Sequence, residues 1–242
     1  MIEIELKSLT KQYKDLTAVD HLSLKVERGE LFGLLGVNGA GKTTTIKMLS
    51  TLTAPTSGDA LISGHSILTD KQEIRRIIAI SPQETAVAEN LSVRDNLRMM
   101  AGIYSMSKEA ASQKIAELSG ALGLTAVLDK RAKKLSGGYK RRLSIAMALI
   151  NSPEVLFLDE PTLGLDVIAR AELWDAIKAI KGNLTIILTT HYLEEAEEMC
   201  DRLAVMKSGR LITVGTADDI MAQAGEDDLE KAFVKLVKEV RS

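Results

Sequence analysis

The sequence predicts an α/β protein built on a mainly parallel sheet, with a run of helices inserted in its middle. Three observations carry that expectation. Leu31–Gly36 (LFGLLG) is a short apolar run ending in glycine, and TTTIKMLSTL soon after it has helical spacing: strand, glycine-rich loop, helix. Later apolar runs, VLFLD (155–159), LTIILTT (184–190) and LAVMKSGRLITVG (203–215), alternate with the helical segments AELWDAIKAI and LEEAEEMC, which is the βαβ texture of a parallel sheet. From about 84 to 150 strand-like runs vanish, while LSVRDNLRMMAGIYSM, KEAASQKIAELSGALGL and YKRRLSIAMALI all carry helical periodicity.

The remaining elements follow in chain order. Ile2, Ile4 and Leu6 alternate with polar residues as in a half-buried strand, and Leu22, Leu24 and Val26 repeat the pattern. TAPTSGDALISG, punctuated by Pro and Gly, reads as loop plus strand, and RRIIAISPQ as a buried strand. The tail DDLEKAFVKLVKEV places Leu229, Phe233, Leu236, Val237 and Val240 on one helical face, which reads as a helix docked on its own domain.

Composition narrows the class. The chain has 242 residues, 45% of them hydrophobic, enough to bury the core of one large domain. Its 31 Lys and Arg against 33 Asp and Glu leave a net charge of −2, where a dedicated nucleic-acid-binding domain would be basic. No apolar run approaches the roughly 20 residues of a transmembrane helix, and the N-terminus lacks a signal peptide's apolar region. A cytosolic chain is expected, one able to sit on a membrane through a partner. Cys200, the one cysteine, has no internal disulfide partner and reads as a semi-buried small apolar residue.

The chemistry begins at GVNGAGKTT, Gly36–Thr44, which fits G-x-x-x-x-G-K-[ST] between a strand and a helix. Gly36, Asn38, Gly39, Ala40, Gly41, Lys42, Thr43 and Thr44 are the candidate phosphate cradle: glycines let backbone N–H groups turn inward, and the helix N-terminus adds its positive end. Lys42 suits β- and γ-phosphate charge, and the Thr43 hydroxyl suits Mg²⁺. VLFLDE ends a buried strand in two carboxylates. Asp159 is placed to hold the metal, and Glu160 to polarise a water as general base. His191 ends the strand LTIILTTH, within reach of a γ-phosphate, and Gln83 ends IIAISPQ, within reach of metal or water. His21 and His65 have no comparable setting.

Around residues 129–143, DKRAKKLSGGYKRRL, a glycine pair is crowded by lysine and arginine. Ser136 is a natural N-cap for a helix beginning near Tyr139, and Gly137 and Gly138 leave N–H groups uncovered at its positive end. That is an anion site in a chain whose phosphate loop already has one. The basic residues would raise the potential toward a triphosphate, although several belong to a solvated face.

Together these residues resemble the nucleotide-binding subunit of ATP-binding cassette (ABC) transporters over nearly the whole chain. Tyr13 resembles the aromatic residue that stacks on adenine, GVNGAGKTT the Walker A loop and Gln83 the Q-loop. LSGG resembles the family signature, VLFLDE the Walker B segment, PTLGLD the D-loop ending at Asp166, and His191 the switch histidine. Tyr139 departs from the glutamine common at its position. The resemblance implies a RecA-like P-loop NTPase core with a small antiparallel β subdomain and an inserted helical subdomain. It divides the chain into 1–83 and 153–215 (core), 84–152 (helical part) and 216–242 (tail). It further implies ATP and Mg²⁺, with Thr43, Gln83 and Asp159 toward the metal. Two subunits would close head-to-tail over two nucleotides, so that Ser136, Gly137, Gly138 and Asp166 serve the partner's ATP.

LSVRDNLRMMAGIY, THYLEEAEEMCDRLAVMKSGRLITVGT and LEKAFVKL resemble the subgroup serving drug, polysaccharide, lipid or sodium exporters. An integral membrane permease is then the expected partner, docking after Gln83 and along Leu91–Met106, where Met99, Met100 and Met106 read mainly as packing residues. The subunit would lie at the inner face of the cell membrane. One rival is a cassette ATPase acting on ribosomes or nucleic acid without a permease, whose known forms carry two cassettes or a long coiled coil. A small-molecule kinase would leave LSGG and PTLGLD unexplained, and a non-catalytic module would leave Lys42 and Glu160 unexplained.

Overall fold

In the computed structural model, residues 1–182 and 184–239 are described. The two alternating segments at the start become a hairpin, β1 (Ile2–Tyr13) and β2 (Leu16–Glu27), followed by β3 (Leu31–Gly36) and α1 (Lys42–Leu49). Next come β4 (Ser57–Ile62), β5 (His65–Ser66), α2 (Lys71–Ile77) and β6 (Ile78–Ser81). Three helices occupy the middle: α3 (Val93–Ile103), α4 (Lys108–Ala121) and α5 (Gly137–Leu149). The chain continues with β7 (Val155–Asp159), α6 (Val167–Ile180), β8 (Thr185–Thr190), α7 (Leu193–Met199), β9 (Arg202–Lys207) and β10 (Arg210–Gly215). The last helices are α8 (Ala217–Ala224) and α9 (Leu229–Glu239).

Two sheets result. One is antiparallel, in the order β2-β1-β4-β5; the other runs β10-β9-β3-β8-β7-β6 and is parallel except for the antiparallel edge pair β9/β10. This is the expected α/β class with a small antiparallel sheet. The buried strands alternate between two cores as the period of a strand requires. Leu31, Leu156, Leu158, Ile186 and Leu188 face the helical side with α3 to α6. Phe32, Leu34, Val155, Phe157 and Ile187 face the antiparallel sheet and α1. Each such side chain contributes about 1.5–3 kcal/mol of transfer free energy, so sandwiching the parallel sheet between two layers is what holds it. A third core joins Leu35, Leu203 and Val205 to α7, α8 and α9.

The register matters for the site. Leu35 pairs Thr190, Asp159 pairs Thr189, and Ser81 pairs Leu158. The carboxyl ends of β3, β6, β7 and β8 therefore finish along one edge, where open α/β sheets bind ligands.

Several sequence expectations need correction. RRIIAISPQ is not one buried strand: Arg75–Ile77 complete α2, and only Ile78–Ser81 pair with β7. A short apolar run cannot by itself separate a helix end from a strand. Ile2 is exposed while Glu3 is buried, because Ser63 and Arg28 hold the Glu3 carboxylate. LAVMKSGRLITVG is a hairpin that turns at Ser208–Gly209 rather than a single strand. The helix after the signature starts at Gly137, with Ser136 as N-cap accepting from the Tyr139 N–H at 3.5 Å. In the tail helix Leu229 and Leu236 are buried, and Phe233 and Val237 pack at the margin; Val240 lies outside the described residues. Among the methionines, Met100 and Met106 pack on the helical core and Met99 is exposed. Among the described residues no helix is long and apolar enough to cross a membrane.

Candidate functional site

The turn from β3 into α1 is possible only with glycine at its pivot. Gly41 caps α1 at φ 103°, and a Cβ there would lie 2.5 Å from the Ala18 carbonyl oxygen. No acidic residue occupies the first turn of α1, so its positive end is not neutralised from within. Lys42 is buried behind the loop. Its Nζ donates to the Gly36 carbonyl at 2.6 Å and to that of Val37 at 3.5 Å, and stands 3.9 Å from Glu160 Oε1. Burial lowers the Lys42 pKa, and the charges of Glu160 and Asp159 work against that shift.

Asp159 closes β7 beside the loop. Its Oδ1 accepts from the Thr189 hydroxyl at 2.5 Å and the Thr43 hydroxyl at 3.3 Å. A carboxylate and a hydroxyl side by side are the oxygen donors a hard divalent cation takes, so the residues present fit Mg²⁺. Glu160 then adopts φ 47°, a left-handed backbone that a non-glycine residue keeps only when its surroundings hold it there. Its N–H donates to both the carbonyl and the hydroxyl of Thr189, each at 3.1 Å. The turned backbone sends the side chain toward the loop, and Glu160 Oε2 lies 2.8 Å from His191 Nδ1.

One cavity of about 600 Å³ has Asn38 to Thr44, Gln83, Glu160 and His191 on its wall, whereas Gly36 and Asp159 stand behind that lining, bonded to Lys42 and Thr43. Strand pairing thus brings together residues more than a hundred positions apart. Leu16, Thr17, Ala18, Leu163 and Ser208 line it as well. Leu16, Thr17, Ala18 and Ser208 come from hairpins with no motif of their own, and Leu163 lies within PTLGLD, where only Asp166 was singled out. Thr189 was missed for the same kind of reason: only the β7–β8 register puts its hydroxyl on Asp159.

Tyr13, Ser136, Gly137, Gly138 and Asp166 do not line the cavity. Tyr13 is exposed opposite Leu16 in the hairpin, with Lys11 Nζ 4.9 Å from its ring centre. Ser136 and Gly137 are exposed at the start of α5, whereas Gly138 is buried against α6. Asp166 caps α6, accepting from the Ala169 N–H at 2.8 Å.

The basic cluster divides on inspection. Arg141 is buried, and its guanidinium donates to the Pro82 carbonyl, to Gln83 O at 3.4 Å and to Asp159 O at 3.0 Å, with burial lowering its pKa to about 10. Arg142 pairs with Glu172 at 2.9 Å and covers the Tyr139 ring at 4.3 Å. Lys140 pairs with Glu89 at 2.7 Å. Lys130, Arg131, Lys133 and Lys134 are the exposed members, so only part of the cluster faces an incoming anion.

Comparison with known proteins adds a second line of observation. Residues 19–163 match the family described as ABC transporter. The chain is 41% identical over 240 residues to the "Probable multidrug ABC transporter ATP-binding protein" of Escherichia coli, covering 97% of this chain but 41% of that protein. It is 41% identical over 227 residues to the daunorubicin/doxorubicin resistance ATP-binding protein of Streptomyces peucetius, covering 93% of this chain and 69% of that one. Among solved structures, an ATP-binding subunit of an ABC transporter superposes with a TM-score of 0.84 at 31% identity, covering 96% of this chain and 98% of its own. The cbiO1 protein of Clostridium perfringens, part of the ABC transporter complex cbiONQ, superposes with a TM-score of 0.85 at 28% identity, over 92% of this chain and 91% of its own.

Proposed function

This chain belongs to the ABC transporter ATP-binding family, and from that premise we propose that it is the ATP-hydrolysing subunit of a membrane exporter. The observation that carries the reading is the single cavity in which the phosphate loop, Glu160 and His191 meet, with Asp159 at its edge. Lys42 and the N–H groups of Gly39 to Thr44 bind the triphosphate. Thr43, Asp159 and Gln83 would hold Mg²⁺, which would supply positive charge to offset that of the triphosphate. Glu160 accepts a proton from the attacking water, and His191 fixes the orientation of that carboxylate. Tyr13 contributes a face for the adenine ring.

Ser136, Gly137, Gly138 and Asp166 act in trans on the nucleotide of a second copy or a homologous subunit. Nucleotide then closes the pair by differential binding, because only the closed state offers γ-phosphate both sets of donors. A permease follows that motion, docked after Gln83 and along α3, which would hold the subunit at the inner face of the membrane. The drug-resistance and multidrug names of the relatives support export.

Two measurements test the reading. The purified chain should hydrolyse ATP only with Mg²⁺ present, and Lys42→Ala should remove that activity. Purification from solubilised membranes should bring down an integral membrane protein. Recovery of ribosomes or DNA instead would overturn the transport assignment.

A further inference from the structure

We propose that Glu195 is a positioning residue for hydrolysis: it ties the segment that follows Glu160 to the helix that follows His191, and so sets where the imidazole stands against the carboxylate. The inference rests on the roles given to Glu160 and His191 above.

Glu195 sits on α7 and is only 6% exposed. A carboxylate in such a place persists only with partners. The fully buried Thr162 donates its hydroxyl to Glu195 Oε2 at 2.7 Å. Oε1 lies 3.1 Å from Nε of Arg170 on α6. The Arg170 guanidinium lies in turn 4.8 Å from the centre of the Tyr192 ring, and the Tyr192 and His191 rings are 4.1 Å apart. His191 returns to Glu160 at 2.8 Å. With the backbone running from Glu160 through Pro161 to Thr162, these contacts close a circuit: Glu160, Thr162, Glu195, Arg170, Tyr192, His191 and back to Glu160.

The charge has a use that packing alone would not require. An apolar side chain at 195 would hold α7 against α6 at less desolvation cost. Burial pushes the Glu195 carboxyl up, while the Thr162 hydroxyl and Arg170 pull it back. Each of the two nearest partners leads to one side of the Glu160–His191 pair. Loosening either side would displace the imidazole without touching the nucleotide-binding residues, and small misplacements near a reacting group are costly in rate.

The test is steady-state ATP hydrolysis by the full chain carrying Thr162→Val, Thr162→Ser or Glu160→Gln. Valine keeps the shape and removes the donor; serine restores the donor. The expected result is a kcat lowered about tenfold or more in Thr162→Val, with KM for ATP within about twofold of wild type and recovery in Thr162→Ser. If Thr162→Val does not fold, Arg170→Gln must show the same split. Wild-type kcat in the folded variant, or a serine variant as slow as valine, overturns the positioning role while an inactive Glu160→Gln leaves the base assignment standing. A fully active Glu160→Gln removes the base assignment and this role with it.

Discussion

His191 Nδ1 stands 2.8 Å from Glu160 Oε2, joining the first residues after two neighbouring parallel strands. A carboxylate only accepts, so the imidazole is the donor in this pair. Replacing Glu160 by Gln keeps the size and removes the base. Hydrolysis should fall by about 10²–10⁴-fold, the usual contribution of general base catalysis, while ATP still binds. Size-exclusion in ATP and Mg²⁺ should then show a dimer that persists. Turnover at the wild-type rate would rule Glu160 out as the base.

Ser136 is exposed and caps α5, away from the cavity of its own chain. Ser136→Tyr should leave nucleotide affinity of the single subunit unchanged and block turnover, with a stability loss of about 1 kcal/mol from the missing N-cap bond. Equilibrium binding of a fluorescent nucleotide separates the two effects. Lost binding would mean that the signature serves the chain's own site.

Gly138 has a packing reason to be glycine. A Cβ there would lie 2.9 Å from the Ala169 Cβ on α6, too close for two carbon atoms. Gly138→Ala should cost about 1–3 kcal/mol through overpacking, read by chemical denaturation, and Ala169→Gly should restore part of that loss. If the double variant is no better than the single one, the contact is not the cause.

Stability should carry a signature of Glu195, whose carboxyl pKa is raised from an ordinary 4.5, chiefly by burial. Below that value the group is protonated whether the chain is folded or not. As pH rises through the window between the unfolded and folded pKa, the unfolded chain ionises first and the native state loses ground. Glu195→Gln has no titrating group there, so its melting temperature relative to wild type should climb across that window. A difference that stays flat with pH would show that the shift is absent.

The local chemistry was legible because it is written in short spacings. Gly36 to Thr44 carries its own turn and helix start, and Asp159–Glu160 follows a run that can only be buried. His191 was legible as the end of such a run. Arg141 was not, because it sits in a crowd of like charges that reads as a solvated face, whereas the fold buries that side chain against the Pro82 and Asp159 carbonyls. Nor was Thr189: a threonine in a strand has no visible partner until parallel register sets Asp159 beside it. Ile77 and Ile78 divide a helix from a strand inside one apolar run, a boundary set by tertiary pairing rather than by composition.

The Arg141 guanidinium grips the backbone at Pro82, Gln83 and Asp159 from the helix that Ser136 opens. Backbone carbonyls, unlike side chains, cannot swing to new rotamers when pulled. The stretch leading out of β6, the end of β7 and the first turns of α5 are therefore tied to one another through one side chain. Under the proposed cycle, a displacement at Gln83 would be felt at the Asp159 backbone and at the glycine pair together, with a single planar cation as the linkage.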